Sequence, residues 1–510
     1  MDDVANVQSN DGMVKNTARI EGEDAAVPGV GDSSREERGE EEPRRRRKPW
    51  GRKQKSYSHV HYKVYKRRWF GLAQLVLLNV VVSWDWLTFA PISTTSAQYF
   101  NVQESSINWL STAFLFSFLL GTPFTILALH RGPKPSILCA SVLLLLGNWI
   151  RYAGTRANGG LFGVVMFGQI LCGLAQPFVL AAPTRYSDMW FTEGGRVGAT
   201  ALASLANPFG GALAQLINPF LGSLPSVVLI VSIISTVACI PSLFIPAAPP
   251  TPPTASSGLS KTSVVASLKH MLRSPPFYIV LITFSTYVGL FNAFSSLLNQ
   301  VFYPYGYTED EAGICGAVLI VVGLLVAAVT SPILDRTHAY LLGIKILCPL
   351  VAVSYLALVW APQTRTIAAP YILSAVLGAA SFSLLPVALE YLVEITYPAS
   401  PEVSSSICWA GGQLFGAVFI VVMNALKDGR NVDLEKVQKD GRGAGGGSRP
   451  PGHMFNALVF QAVVGLVVLP LPLMLGIKRL GLVSGEARLK LDEHGEGVDV
   501  VGEGSAGHEQ

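Results

Sequence analysis

Charge is what this chain of 510 residues has least of. Lys, Arg, Asp and Glu together make up 14% of it and half of the residues are hydrophobic, where soluble proteins carry about 25% charged residues. With a mean hydropathy of +0.41, that scarcity excludes a large soluble helical protein. Cysteine is scarce as well. The six (Cys139, Cys172, Cys239, Cys315, Cys348 and Cys408) all stand inside apolar stretches, without metal-ligand spacing or a pairing pattern, and read as small core residues. The eight histidines include none at the middle of an apolar stretch. The His59-x-His61 pair reads as part of a solvated tail, so no metal or cofactor is expected. No nucleophile–base pair or phosphate-cradling loop is present, which argues against an enzyme.

What the chain does have is twelve apolar stretches, over roughly 69–91, 107–130, 135–152, 160–182, 196–221, 225–246, 277–300, 311–333, 340–360, 366–391, 403–426 and 454–476. A bilayer core takes about 20 apolar residues per helix, and lipid offers no hydrogen-bond partner. Each stretch is therefore expected to be a self-satisfied helix, giving an all-α multi-pass membrane protein.

The stretches form two similar halves at an offset of 206 residues. Leu129-His130-Arg131-Gly132 falls on Asp335-Arg336-Thr337-His338, and Asp188-Met189-Trp190-Phe191 on Glu394-Ile395-Thr396-Tyr397. Asn207-Pro208-Phe209-Gly210 falls on Gln413-Leu414-Phe415-Gly416, and Trp86 on Asn292. Few of these pairs are identities; the shared offset is the signal. Two six-helix halves in the same topology are the plan of the major facilitator fold.

Lys and Arg near the helix ends set the orientation. Lys63, Lys66, Arg67 and Arg68 precede the first span, and Arg131, Lys134, Arg185 and Arg196 flank others. Lys261, Lys269 and Arg273 lie between spans 6 and 7, and Lys478 and Arg479 follow the last. All share one side if the spans number twelve, so both termini are expected in the cytosol. The loop between spans 11 and 12 conflicts with this: Lys427, Arg430, Lys436, Lys439, Arg442 and Arg449 would lie outside. The membrane is expected to be the plasma membrane or that of an organelle such as the vacuole.

Five segments follow. Residues 1–66 mix Glu40–Glu42 with Arg44–Lys48 and hold little apolar matter. They are expected to be a disordered cytosolic tail whose basic run meets anionic lipid rather than nucleic acid. The first apolar stretch comes late and is too long for a secretory leader. Residues 67–246 and 277–476 are the two bundles, and 477–510 a second tail. The linker 247–276 is Pro-, Ser- and Thr-rich, then places Val264, Leu268, Met271 and Leu272 at helical spacing until Pro275-Pro276. That predicts an amphipathic helix stopped by the prolines, latching the halves.

Polar residues inside spans carry the functional signal, because lipid makes them costly. Asp85, in Trp84-Asp85-Trp86, is the sole carboxylate well inside a span. It is expected to face a cavity, binding a cation or titrating a coupling proton beside an indole; the alternative is a wet helix end. Trp84 and Trp86 point to roughly opposite faces, so at most one lines a central cavity and an interfacial girdle accounts for the other. Asn207, Asn292, Asn299, Gln300 and Gln413 are the further cavity candidates; interhelical hydrogen bonding is the competing explanation for each. At the cytosolic helix ends, Arg131, Arg185, Asp188, Asp335, Arg336, Glu390 and Glu394 are candidates for a charge gate between the halves, against ordinary interfacial charge.

Several segments are similar to one family. Tyr65-Lys66-Arg67-Arg68-Trp69, Ile107-Asn108-Trp109-Leu110-Ser111, Ser295-Ser296-Leu297-Leu298-Asn299-Gln300, Leu334-Asp335-Arg336-Thr337 and Gln413-Leu414-Phe415-Gly416 resemble the feline leukaemia virus subgroup C receptor-related transporters of the major facilitator superfamily. The resemblance implies transport of small organic solutes; haem, choline and ethanolamine are those linked to the family. Choline recognition there looks like a Trp on span 1, a Gln on span 5 and a Tyr on span 7. Trp86 matches the first, Pro208 stands at the Gln with Asn207 beside it, and Asn292 stands at the Tyr. Asp85 replaces an uncharged neighbour, and Gln413 matches a Gln on span 11. The expected function is secondary transport by alternating access of a small organic solute, cationic or haem-related, by a monomer. A non-transporting receptor or sensor on the same fold is the alternative.

Overall fold

The structure is a computed structural model that describes residues 64–251, 263–337, 339–396, 399–430 and 449–477. Most of both expected tails and the Pro-rich part of the linker lie outside these residues. The described residues hold helices and no strand.

The first half is built from α1 (Arg67–Trp86), α2 (Ser93–Phe100), α3 (Glu104–Arg131), α4 (Pro133–Arg156), α5 (Phe162–Leu180), α6 (Ala182–Trp190), α7 (Glu193–Ile217) and α8 (Leu224–Cys239). A short α9 (Val264–Met271) leads into the second half: α10 (Pro275–Phe302), α11 (Glu309–Thr337), α12 (Tyr340–Leu358), α13 (Ala368–Thr396), α14 (Pro401–Ala425), α15 (Phe455–Val468) and α16 (Pro470–Met474). Eleven described helical segments are long and apolar enough to cross a membrane, with α6 continuing α5 and α16 continuing α15. The fifth expected crossing is α7. It is 25 residues long, but its Gly, Asn and Gln content makes it less apolar than the other eleven.

The helix starts follow from proline. Its missing N–H and fixed φ suit the first turn, and Pro133, Pro225, Pro275 and Pro401 open α4, α8, α10 and α14. The linker helix ends at Met271, ahead of Pro275-Pro276, and the prolines also begin the next helix. The linker helix, α9, is capped by Ser263, whose Oγ accepts from the Ala266 N–H at 3.3 Å. Of its apolar residues Met271 is buried, while Leu268 and Leu272 are exposed.

The two halves repeat their packing. In the first, α1 lies on α7 and α4 on α5; in the second, α10 lies on α14 and α12 on α13. The halves meet where α3 packs on α14 and α7 on α11. Glycine permits the closest approaches. A Cβ on Gly210 of α7 would come within 1.9 Å of the Val80 carbonyl oxygen on α1, and one on Gly416 of α14 within 2.8 Å of Asn292 Cβ on α10. These glycines are 206 residues apart, so each half brings α7 or α14 close against its first helix through a glycine at the matching position, although the nearest partners, Val80 and Asn292, do not match.

Candidate functional site

A central cavity lies between the halves. Trp86 from α1, Asn207 from α7, Asn292 from α10 and Gln413 from α14 all line it. Four expected cavity residues, drawn from both halves, are thus brought together. Asn292 donates its amide N–H to Gln413 Oε1 at 3.0 Å, and Asn207 donates to the Asn79 carbonyl at 3.4 Å. The rest of the wall is largely apolar, with the rings of Phe284, Tyr287, Phe291, Phe382 and Trp409 set among aliphatic side chains. The ring of Phe284 meets that of Trp409 edge-on at 5.4 Å. No charged side chain is among the lining residues.

The cavity also holds groups that the sequence pattern did not single out. Gln176 of α5 and Tyr287 of α10 line it, so the two residue types sought at Pro208 and Asn292 are present, but elsewhere. Their only signal in the sequence is a polar residue in an apolar span. Three buried polar atoms on the lining side chains lack a protein partner: Trp86 Nε1, Gln176 Oε1 and Thr283 Oγ1. Buried polar groups are nearly always hydrogen-bonded. One orphan donor and one orphan acceptor on a cavity wall are what a polar ligand would satisfy.

Asp85 does not line this cavity. Its carboxylate is fully buried inside the first half, where Oδ1 meets Arg151 Nη2 at 2.8 Å and Oδ2 accepts from Asn148 Nδ2 at 2.7 Å. Arg151 is the residue the sequence reading missed: at the end of the third apolar stretch it passes for interfacial charge. A lone carboxylate in lipid costs about 2.5–3.5 kcal/mol on insertion scales, and the guanidinium removes that cost without a cavity. Trp84 is likewise no part of a lipid-facing girdle. It is buried, and its Nε1–H donates to Asn218 Oδ1 at 2.9 Å.

Asn299 and Gln300 lie not on the cavity but at the end of the bundle that carries α2. There Asn108 Nδ2 donates to Gln300 Oε1 at 3.2 Å and Gln300 Nε2 to Asn108 Oδ1 at 2.6 Å. Asn108 also donates to Asn424 Oδ1 at 2.9 Å. Asn299 Nδ2 donates to Ser93 Oγ at 3.2 Å and to Glu309 Oε1 at 3.2 Å. Thr95 Oγ1 donates to Glu309 Oε2 at 2.8 Å, and Lys427 pairs with Glu104. Each of these contacts except Asn299–Glu309 joins one half to the other, so the cavity is shut on this side. Toward the opposite end its wall includes Val280, Ile344, Pro472 and Leu475.

The expected gate charges divide. Arg185 contacts Asp188 at 3.5 Å within α6, inside one half. Arg131 is exposed at the end of α3, and Glu390 and Glu394 are half-buried on the last turns of α13. The side chains of Asp335 and Arg336 lie outside the described residues. Lys427–Glu104 does bridge the halves, at the other face, where no gate was sought. It also bears on the basic loop after α14: Lys427 and Arg430 are matched by Glu104 and Asp428, so part of that loop's positive charge is neutralised.

Similarity to known proteins accords with this arrangement. A sequence profile of the Major Facilitator Superfamily matches residues 75–420. Solute carrier family 49 member A3 of Danio rerio is 36% identical over 379 residues, 72% of this chain and 80% of that one. The choline/ethanolamine transporter FLVCR1 of Felis catus is 30% identical over 384 residues, 71% of this chain and 68% of that one. Among solved structures, a bacterial homologue of the human lysosomal transporter Spinster superposes with a TM-score of 0.60 at 15% identity, covering 80% of this chain and 97% of that one. These are membrane transporters and not enzymes. The chain belongs to the major facilitator superfamily, within the group that includes the choline/ethanolamine transporters related to the feline leukaemia virus subgroup C receptor.

Proposed function

We propose that this protein moves a small organic amine across its membrane by alternating access, binding it in the central cavity through Trp86, Gln176, Asn207, Asn292 and Gln413. The observation that carries the reading is the make-up of the cavity wall: aromatic faces and neutral amides from both halves, with no charged side chain. Aromatic faces hold an ammonium or methylated ammonium group without a counter-ion, worth about 2 kcal/mol when desolvated. The orphan Trp86 Nε1–H and Gln176 Oε1 suit a hydroxyl or amine at the other end. Haem fits less well, because its carboxylates call for Arg or Lys, and the wall has neither. Choline and ethanolamine, which related proteins carry by name, have the favoured chemistry.

In this reading the described conformation is closed at the α2 face. That face is the non-cytosolic one, since the Lys- and Arg-rich ends of the bundle lie opposite. Both termini are then cytosolic. A coupling proton at Asp85 is no part of the mechanism, because the carboxylate is held by Arg151 outside the cavity.

The test is uptake of labelled choline and ethanolamine into vesicles containing the full chain. Saturable uptake is expected, with Trp86→Leu raising KM about tenfold through loss of a cation–π face. Uptake of neither compound by correctly inserted protein would sink the amine reading.

A further inference from the structure

The buried pair Asp85–Arg151 does not line the central cavity, yet it sits in a dense set of hydrogen bonds. Arg151 Nη2 donates to Asp85 Oδ1 at 2.8 Å and to Asn148 Oδ1 at 2.6 Å. Its Nη1 donates to Gln169 Oε1 at 2.7 Å and to the Asp85 backbone carbonyl at 3.0 Å. Gln169 Nε2 donates to the same carbonyl at 3.1 Å and reaches that of Trp86 at 3.5 Å. Thr88 Oγ1 closes the turn by donating to the Trp84 carbonyl at 2.9 Å.

The backbone acceptors among these, the carbonyls of residues 84, 85 and 86, have one thing in common. Trp86 is the last residue of α1, and a helix end leaves its final carbonyls without partners. In a membrane protein those groups find no water inside the bundle. Here the guanidinium and the Gln169 amide take them, and a cation at a helix C-terminus is also electrostatically favoured. The Asp85 side chain then holds the guanidinium in place. Stability alone does not account for such a pair, since well-packed apolar residues often serve as well in its position. An apolar replacement of Arg151 would not bind the carbonyl of residue 85.

We infer that Asp85, Arg151 and Gln169 are positioning residues that fix where α1 ends and so set the indole of Trp86 in the cavity wall. The network is drawn from α1, α4 and α5, all in the first half. It therefore needs no rearrangement when the halves rock, and Trp86 is carried as a rigid part of its half in every state. This gives the aromatic wall a pre-set geometry, which lowers the ordering cost of binding. The inference rests on the reading of Trp86 as a solute contact, and its test separates the two.

The experiment uses the full chain labelled with fluorotryptophan in nanodiscs. Fluorine NMR follows the Trp86 resonance, identified by its loss in Trp86→Phe. The paired variant Asp85→Leu/Arg151→Met removes both charges together. Gln169→Met keeps both charges and removes only the amide, and so serves if the paired variant does not fold. In each, the Trp86 line is expected to broaden or split while that of Trp409 on α14 stays in place. Choline uptake is expected to show a raised KM with an unchanged maximal rate. A sharp, unshifted Trp86 line in either folded variant overturns the positioning role. If instead the Trp86 line responds but Trp86→Leu leaves choline uptake intact, positioning stands and the solute-contact reading falls.

Discussion

Asn108 and Gln300 donate to each other across the two halves of the bundle, at 3.2 and 2.6 Å. Side-chain hydrogen bonds within membranes are worth about 0.6 kcal/mol each on average. A few such bonds bias a conformation without locking it, which is what an alternating carrier needs of a closure. Replacing Gln300→Leu removes two of them, so the open population at the α2 face should rise roughly eightfold. The measure is labelling of an introduced Ser295→Cys by an impermeant maleimide added from that side. An unchanged labelling rate would mean the pair does not hold the face shut.

Charge should matter little to binding in the wild type. The residues lining the cavity include no titratable acid or base that changes state between about pH 5 and 8. The KM for a permanently charged probe such as choline should therefore stay flat over that range. A KM that changes severalfold would point to a proton site reaching the cavity.

A carboxylate placed in the wall should create the pH dependence that is missing. Gln176→Glu puts an acid in the cavity wall without adding volume, and burial raises a carboxyl pKa. Above that raised pKa the charge attracts a cation; below it the attraction is lost. Choline KM should fall at high pH and return to the wild-type value at low pH. The reverse order, or no dependence, would argue that position 176 does not face a cationic solute.

Helix contact gives a test that does not depend on the solute. Gly210→Leu forces a side chain into the Val80 carbonyl, 1.9 Å from an added Cβ, and should sharply lower the yield of folded protein. Gly211→Ala, whose Cβ would meet only side-chain atoms, Leu87 Cδ1 at 3.2 Å, Ser83 Oγ at 3.4 Å and Ile320 Cδ1 at 3.5 Å, should be tolerated. Thermal unfolding in detergent reads both. Equal behaviour of the two would contradict the close α1–α7 packing.

The sequence by itself determined the helices, their approximate ends and the two-fold repeat, because each of these answers to a local demand. Lipid requires long apolar runs with satisfied backbones, proline marks first turns, and the close approach of α7 to α1 and of α14 to α10 keeps Gly210 and Gly416 at one offset. The same locality made Trp86, Asn207, Asn292 and Gln413 legible as a group, since the matching positions of two similar halves meet at their shared axis.

What only the tertiary structure decided is which polar residues meet one another. Asp85 and Arg151 are 66 residues apart, and their contact depends on the rotation of α1 against α4, which no hydropathy pattern encodes. Asn299 and Gln300 follow Asn292 by about two turns, yet they belong to the closure rather than the cavity because depth along the helix, not residue type, assigns them. Gln176 reaches the cavity for the opposite reason: its span packs behind α1 and α3, and one face of it turns inward. A buried polar side chain announces its cost in the sequence; the neighbour that offsets the cost is a matter of three-dimensional packing.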